Sequence, residues 1–321
     1  MRYSNQQNIS LAVAVMLATD NYDKQDNVIS ATTLLKPIRQ VILSARVPQE
    51  QQVVDVSSLI NSSLGSALHD AMESAWRNNY QKGLKALGYP DAFIATVKIN
   101  PLTVEEGINP VYVEQRMNKE VAGKTVSGKF DIVIDGEVQD LKSTKVFTLK
   151  KGNKDEDYIL QGSIYRWLNP DIIKKDTVAI NFWLTDWQAN QARQDPSYPQ
   201  SPCPTKRFQL LSIPETDRYV RNKLAQLEKY WDELEDQIPL CTDKDLWRSE
   251  PEFKYYKNPE KMSRSTKNFD TMKEARMRYI EDGSVGIIVE RPGQVTACKY
   301  CSAFAICKQK DALIASGDLI L

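Results

Sequence analysis

The sequence has one histidine in 321 residues, no cysteine ahead of Cys203, and equal numbers of basic and acidic side chains, 42 of each. It also has no run of eighteen apolar residues, which excludes an ordinary membrane-spanning helix. The zero net charge excludes a broadly basic molecule, so any contact with a polyanion has to come from a local patch. Five cysteines, an odd number in a chain this long, do not form the framework of a disulfide-stapled secreted domain. The scarcity of histidine leaves His69 as the only available imidazole ligand. The longest apolar stretch near the start, Leu11 to Ala18, follows polar Asn5 to Asn8 and has no small-residue cleavage site before Asp20. It therefore reads as a buried first helix rather than a signal peptide.

What remains is ordinary globular composition, 41% hydrophobic and 26% charged, with no repeat and no low-complexity tract. Residues 1–50 read as helical, with Ser30 or Thr32 as a cap and Leu34, Leu35, Ile38, Val41 and Ile42 turned inward. Residues 56–87 read as one or two helices carrying Ile60, Leu64, Ala67, Leu68, Met72, Ala75 and Trp76 on one face, ended by Gly88-Tyr89-Pro90. Phe130, Ile132 and Ile134 alternate with Asp131, Val133 and Asp135, which is strand periodicity, and Asp135-Gly136 is a hairpin turn. Val138 to Phe147 is the return strand. A helix over Tyr158–Leu168, a buried strand over Val178–Leu184, a loop over 187–206 and an amphipathic helix over 215–236 follow. That last helix carries Leu224, Leu227, Trp231 and Leu234 on one face.

The hairpin carries chemistry. Its turn pairs Ile134 with Glu137 and Val133 with Val138, so Asp131 stands opposite Asp140, roughly 5 Å away. Two carboxylates that close repel each other unless a cation lies between them, and a divalent metal is the natural one. Lys142, two residues past Asp140, projects on the same side of the strand. A metal beside a lysine suits phosphodiester hydrolysis, in which Lys142 orients water or offsets developing charge. A solvated strand face with a Lys142–aspartate salt bridge fits the hairpin alone nearly as well.

Gly128-Lys129-Phe130-Asp131 followed by Asp140-Leu141-Lys142 resembles the signature of the PD-(D/E)XK nuclease superfamily, and more narrowly its RecB-like exonuclease branch. Gly65-x-x-x-His69 and Gln161-x-x-x-Tyr165 resemble two further motifs of that branch, in matching order, and the resemblance covers about residues 30–310. It implies an α/β fold: a small mixed sheet flanked by helices, with a helical N-terminal region over 1–55, a nuclease core over 56–236 and a cysteine-bearing region over 237–321. By this resemblance His69, Asp131, Asp140 and the backbone carbonyl of Leu141 bind Mg²⁺ or Mn²⁺, with Glu114 as a secondary candidate. Asp131, Asp140 and Lys142 form the catalytic set, and Gln161 and Tyr165 line the site and the DNA path.

Cys298-x-x-Cys301-x5-Cys307 brings three thiolates together, and a fourth completes either a structural zinc site or an iron–sulfur cluster. The compact triplet plus one distant cysteine resembles the [4Fe–4S] staple of RecB-like nucleases. Cys241 is the expected fourth ligand, with Cys203 as a bystander. In many relatives the first cluster cysteine precedes the nuclease core, and this chain departs from that pattern. Two basic stretches are candidates for holding DNA: Lys145, Lys150, Lys151 and Lys154 beyond the hairpin, and Lys254, Lys257, Lys261, Arg264 and Lys267 interleaved with Phe253, Tyr255 and Tyr256. The implied activity is exonucleolytic cleavage of DNA with a free end, single-stranded strands included, in a bacterial or phage-infected cytoplasm, beside recombination or replication proteins. An endonuclease or CRISPR-adaptation-like end processor is the rival within the class, and a catalytically silent DNA-binding module the rival outside it.

Overall fold

A computed structural model describes residues 2–19, 27–48 and 53–321. In chain order its elements are β1 (Arg2–Ser4), α1 (Leu11–Ala18), β2 (Val28–Ser30), α2 (Ala31–Leu35), α3 (Ile38–Arg46), β3 (Val53–Asp55), α4 (Ile60–Ser74), α5 (Tyr80–Ala86) and α6 (Asp91–Thr96). Then come β4 (Val97–Ile99), β5 (Asn109–Val121), β6 (Lys124–Ile134), β7 (Glu137–Thr144), α7 (Val146–Lys151), α8 (Asp155–Leu168), β8 (Thr177–Leu184), α9 (Ala189–Gln194) and β9 (Thr205–Gln209). The chain closes with α10 (Ile213–Tyr230), β10 (Glu252–Tyr256), β11 (Lys267–Phe269), α11 (Met272–Glu281), β12 (Ile287–Arg291) and α12 (Lys308–Ala315). They form two compact units: Met1–Lys36 with Val53–Gln226, and Pro37–Gln52 with Leu227–Leu321.

The first unit is mixed α/β. Its main sheet runs β4-β5-β6-β7-β8-β9, with β2 added alongside β6. Asp135 and Gly136 both have positive φ (52° and 70°), the backbone of a two-residue type I′ turn. The turn sets the expected register, Val133 against Val138 and Ile134 against Glu137. β7 and β8 are parallel, so the chain crosses back through α7 and α8. Two clusters of buried side chains fill this unit. The larger includes Phe130, Val133, Val138, Ile164, Trp167, Ile180 and Phe182. The smaller holds Val97, Val111, Val113 and Ile132, with Met72 of α4 and Trp76 packed against them.

The second unit carries an antiparallel sheet in the order β11-β10-β12 and a separate cluster of Leu246, Val295, Cys298 and Leu319. Residues 37–48, at the end of the N-terminal stretch by sequence, pack within this unit. The break from the preceding helix falls at Pro37. It holds Lys36 in extended backbone (ψ 151°) and splits the expected continuous helix into α2, capped by Ser30 Oγ on Thr33 N at 3.0 Å, and α3.

Other expectations change in instructive ways. Residues 20–26 and 49–52 of the expected helical region lie outside the described residues, and β1 and β2 replace helix elsewhere in it. Helix α1 forms but is not buried: only Leu17 is covered, while Leu11 and Met16 stand exposed. Its apolar side chains point all round, but the helix meets the rest of its unit chiefly at residues 56–59, so only one side is covered. α4 likewise buries none of its residues fully, with Ile60 and Leu64 exposed. The return strand ends at Thr144, and Phe147 moves into α7, where it is 71% exposed. The 187–206 loop contains α9 and the start of β9. α10 ends at Tyr230, leaving Trp231 and Leu234 beyond it and exposed.

In the second unit the chain packs backbone on backbone at Gly293, where a Cβ would fall 1.7 Å from the carbonyl oxygen of Ser249. Gly293→Ala is therefore expected to cost more than about 2 kcal/mol, the upper range of overpacking changes, because a carbonyl cannot swing aside as a side chain can. Urea unfolding measures it. A variant as stable as the parent would show that this approach is not tight.

Candidate active site and metal centre

Strands β5 and β6 keep one register from Val121↔Lys124 to Val111↔Ile134, except at one point: Glu114 and Asp131 stand opposite each other without the regular ladder pairing. Glu114 has φ 49°, a left-handed backbone costing about 1–2 kcal/mol in a side-chain-bearing residue. Alternation slips on both strands there. Before the break Val111 and Val113 face the α4 side, and after it the odd-numbered Val121 faces the larger core. On β6, Val126 and Phe130 face the larger core while Ile132 faces α4. Val113 and Glu114, and likewise Asp131 and Ile132, thus present neighbouring side chains to the α4 side. The simple period-two reading of Phe130, Ile132 and Ile134 misses this slip.

The slip is held by side chains. The carbonyl of Val113 accepts from Arg77 Nη2 and Asn100 Nδ2, both at 3.2 Å, and Asn100 Oδ1 accepts from Val113 N at 2.8 Å. Arg77 lies in a π-helical stretch, Ala75–Asn79, and is paired with Glu73 at 2.6 Å. On its other edge β6 pairs with β2 as far as Ser127 and with β7 from Ile132 onward. The signature residues Gly128–Asp131 occupy the gap between. There Leu141 N donates to Asp131 Oδ2 at 2.9 Å, so a carboxylate takes up an amide beyond the end of the ladder.

Helix α4 closes the site. Gly65 sits against Ser143 of β7, with Oγ 3.4 Å from where a Cβ would be. One turn later His69 Nδ1 reaches Asp131 Oδ2 at 3.2 Å. Ligand atoms of His69, Glu114 and Asp131 all lie within 4.8 Å of one another, the one such group of histidine, cysteine or acidic side chains among the described residues. Glu114, secondary by sequence, stands with the principal candidates. Its Oε2 also accepts from Lys129 Nζ at 2.5 Å. Lys142 Nζ lies 2.6 Å from Asp140 Oδ2, and this aspartate is almost fully buried.

The charges are mutually dependent. Burial pushes the Asp140 carboxyl up to about 6, against the pull of Lys142 and with the help of Asp131. Burial likewise raises Glu114, although Lys129 opposes it. Burial pulls Lys142 down, but Asp140 and Asp131 outweigh it and hold its ammonium above the ordinary value. His69 is raised by its hydrogen bond to Asp131.

Gln161 and Tyr165 share a face of α8 and bond to each other, Gln161 Nε2 to Tyr165 Oη at 2.7 Å. Tyr165 is buried in the larger core, its ring edge 3.1 Å from the position a Cβ would take at Gly128. Leu168 would be 2.6 Å from that Cβ, so the glycine of the signature lets α8 cross β6 closely. Lys145, Lys150 and Lys151 are exposed on or beside α7. Tyr255 corrects an expectation: it is fully buried, its hydroxyl donating to Val285 O at 2.8 Å, and cannot stack on a base. Phe253 and Tyr256 are buried with it, and Lys257 pairs with Asp282 at 3.6 Å. The aromatic rhythm of this stretch belongs to the core of β10.

In the second unit Cys241, Cys298, Cys301 and Cys307 are free thiols, Cys298 buried and the other three half-buried. Burial, then Asp245, then Cys307 and Cys301 push the Cys241 thiol up to about 12; burial, Cys301 and Cys307 raise Cys298. Gln309, which sequence alone did not single out, grips the Cys241 peptide from both sides: Oε1 accepts its N–H and Nε2 donates to its carbonyl, each at 2.9 Å. Buried Arg39 of α3 donates to the carbonyls of Glu235 and Ile238 and pairs with the Glu235 carboxylate, which accepts from Lys308 N next to Cys307. Cys203 lies on the surface of the other unit.

No protein-family model matches the chain, and no curated protein matches it in sequence. Solved structures do align with it, two of them as follows. The crystal structure of SSO0001 is 15% identical over 66% of this chain and 83% of that one, with a TM-score of 0.40. A phage-related exonuclease from Haemophilus somnus 129PT is 13% identical over 66% of this chain and 96% of that one, with a TM-score of 0.30. At these scores neither likeness bears on function.

Protons and a cation compete for the same carboxylates, and a carboxyl with a pKa near 6 is ionised at pH 7.5 but mostly protonated at pH 5.5. Mn²⁺ is expected to bind about fourfold more weakly at pH 5.5 from Asp140 alone, and more weakly still with Glu114 contributing. Titration calorimetry at the two pH values measures this. Equal affinities would place these carboxylates outside the metal site.

Proposed function

We propose that this chain is a divalent-metal-dependent nuclease that cleaves DNA from its ends. The observation that carries the reading is the convergence of Glu114, Asp131 and His69 at the break in β5 and β6, with the Asp140–Lys142 pair beside them. Two carboxylates and an imidazole suit Mg²⁺ or Mn²⁺, and the burial that disfavours a charged Glu114 is offset when a cation is bound. Asp140 and the Leu141 carbonyl are the further ligands we assign. A cation held there polarises a phosphoryl oxygen and makes a bound water acidic enough to attack. Lys142 stays protonated through its contact with Asp140, and its ammonium is available to phosphate oxygen and to the charge that builds on it. Asp131 fixes both His69 and the Leu141 amide, so it sets the position of the imidazole against β7. Gln161 and Tyr165 hold α8 against Gly128 and through it the signature strand.

For the second unit we assign Cys241, Cys298, Cys301 and Cys307 to one [4Fe–4S] cluster, zinc being the other group that four thiolates hold. The donor set fits. Buried thiols that raise one another's pKa are relieved when a cation takes up their charge.

End-labelled linear and closed circular DNA, single- and double-stranded, with Mg²⁺ or Mn²⁺, test the first reading. Linear DNA is expected to be degraded and closed circles spared; degraded circles would make the enzyme an endonuclease. Asp131→Ala, Asp140→Ala and Lys142→Ala are each expected to lower cleavage at least about 10³-fold, as loss of a charge-stabilising group at a reacting centre does. Wild-type rates in Asp140→Ala would end the enzymatic reading. Cys241→Ser and Cys298→Ser are expected to lose iron and visible absorbance from anaerobically purified protein, and Cys203→Ser to keep both. One zinc per chain and no colour would assign the zinc site instead.

A further inference from the structure

Lys129, inside the signature on β6, is bonded to a residue that a divalent ion also needs. Its Nζ lies 2.5 Å from Glu114 Oε2, and among the described residues Glu114 is its one ionic partner. Glu114 also belongs to the group with His69 and Asp131. The two partners differ in access: the Lys129 side chain is 40% exposed and that of Glu114 8%. Lys142 is placed otherwise, against an Asp140 side chain that is 4% exposed. In register Lys129 stands opposite Arg116, and like charges directly opposed across a sheet repel each other.

The backbone of the site does not need this ion pair. Arg77 and Asn100 hold the displaced Val113 carbonyl, and the Leu141 amide holds Asp131. Gly128, just before Lys129, is fixed against Leu168 and Tyr165 of α8. The strand is therefore held while the four-carbon stem of Lys129 reaches into solvent. A divalent ion and an ammonium both claim the single charge of Glu114, and they repel each other when they share it. An ammonium displaced on an exposed stem turns outward. There it suits a phosphate, because a compact charge with rotatable donors binds phosphate oxygens without demanding one geometry.

We propose that Lys129 is a substrate-positioning residue with two successive partners: Glu114 while the site holds no divalent ion, and a backbone phosphate of the nucleic acid once an ion claims Glu114. Lys129 then opposes ion binding in the free protein and rewards it when substrate is present. The inference rests on the nuclease reading and adds to it the residue that couples metal binding to substrate binding.

The test uses the full chain at pH 8, above the ordinary carboxylate range, and reads binding rather than cleavage. Titration calorimetry with Mn²⁺ alone is the first arm. Lys129→Ala is expected to bind Mn²⁺ about threefold more tightly than wild type, as removal of a competing half-exposed ion pair does. The second arm is fluorescence anisotropy of a labelled blunt duplex in EDTA and in Ca²⁺, which takes the same hard oxygen ligands. In Ca²⁺ Lys129→Ala is expected to bind the duplex about tenfold more weakly than wild type, the low end for a hydrogen bond to a charged group. Its slope of log Kd against log salt is expected to fall by about 0.9, one phosphate contact. In EDTA the two proteins are expected to agree within about twofold. Lys129→Gln is expected to match Lys129→Ala, and Lys129→Arg to keep duplex binding in Ca²⁺. The side chain is exposed, and circular dichroism is expected to be unchanged in all three. Equal or weaker Mn²⁺ binding by Lys129→Ala would overturn the shared claim on Glu114. Duplex binding lost equally in EDTA and Ca²⁺, or not lost at all, would overturn the phosphate contact. Either result leaves the nuclease standing where wild type cleaves linear DNA. A wild type that binds no Mn²⁺ and cleaves no DNA would overturn both.

Discussion

Glu114 and Asp131 face each other across β5 and β6 at the one place where that long antiparallel pair gives up its regular ladder. A strand of constant alternation puts neighbouring residues on opposite faces. Here the same face of each strand receives two in succession, an apolar residue that packs under α4 and an acid that reaches His69. The left-handed Glu114 costs on the order of 1–2 kcal/mol. Arg77 and Asn100 offset it by taking the displaced Val113 carbonyl. Core and site are thereby built from two pairs of neighbouring positions, Val113-Glu114 and Asp131-Ile132, which keeps the acids close to α4 without opening the core beneath them.

Burial then decides what those acids can do. In water, Asp131 and Asp140 would both be ionised and their repulsion screened. At the fork of β6 and β7 burial dominates, and Asp140 prefers its proton up to about pH 6 despite a lysine at 2.6 Å. A site that suppresses its own negative charge in this way responds strongly to an added cation, because the cation removes both the repulsion and the desolvation cost. Two thiols of the second unit show the same effect with softer atoms: Cys241 is driven up by its burial, by Asp245 and by neighbouring sulfurs, and Cys298 by its burial and by Cys301 and Cys307.

Local rules in the sequence located much of this. Asp135-Gly136 specified its turn and so the register of Ile132 to Ile134 against Glu137 to Gln139, because a two-residue I′ turn leaves no freedom in pairing; the ladder ends one step short of Asp131 and Asp140. Gly65 and His69, four apart, had to share a helix face. What local rules could not reach was non-local. Glu114 looked secondary because nothing around it in sequence reports that its opposite number on β6 is also displaced. Pro37 was read through as part of one helix, and which unit each half joins depends on packing some two hundred residues away. Tyr255 was misplaced for a related reason. Alternating aromatics and lysines describe a half-buried strand as well as a nucleic-acid surface, and only burial, with Tyr255 at 0% exposure, separates the two.

The first unit is organised around β7. One end of the strand is fixed by the turn, and its middle carries Asp140 and Lys142 where β6 departs. Its last residue is tied to β8 through Thr144 and Thr185. The short α7 hangs from that tie by the Asp186 cap rather than by an apolar face of its own, since Val146 is its only buried residue. A helix attached at one end and exposed along the rest contributes little to the fold. Its cations and ring face water at the end of the strand that bears Lys142. Phe130 and Phe182 on the neighbouring strands turn inward and Phe147 does not, so the core around β7 owes nothing to that ring.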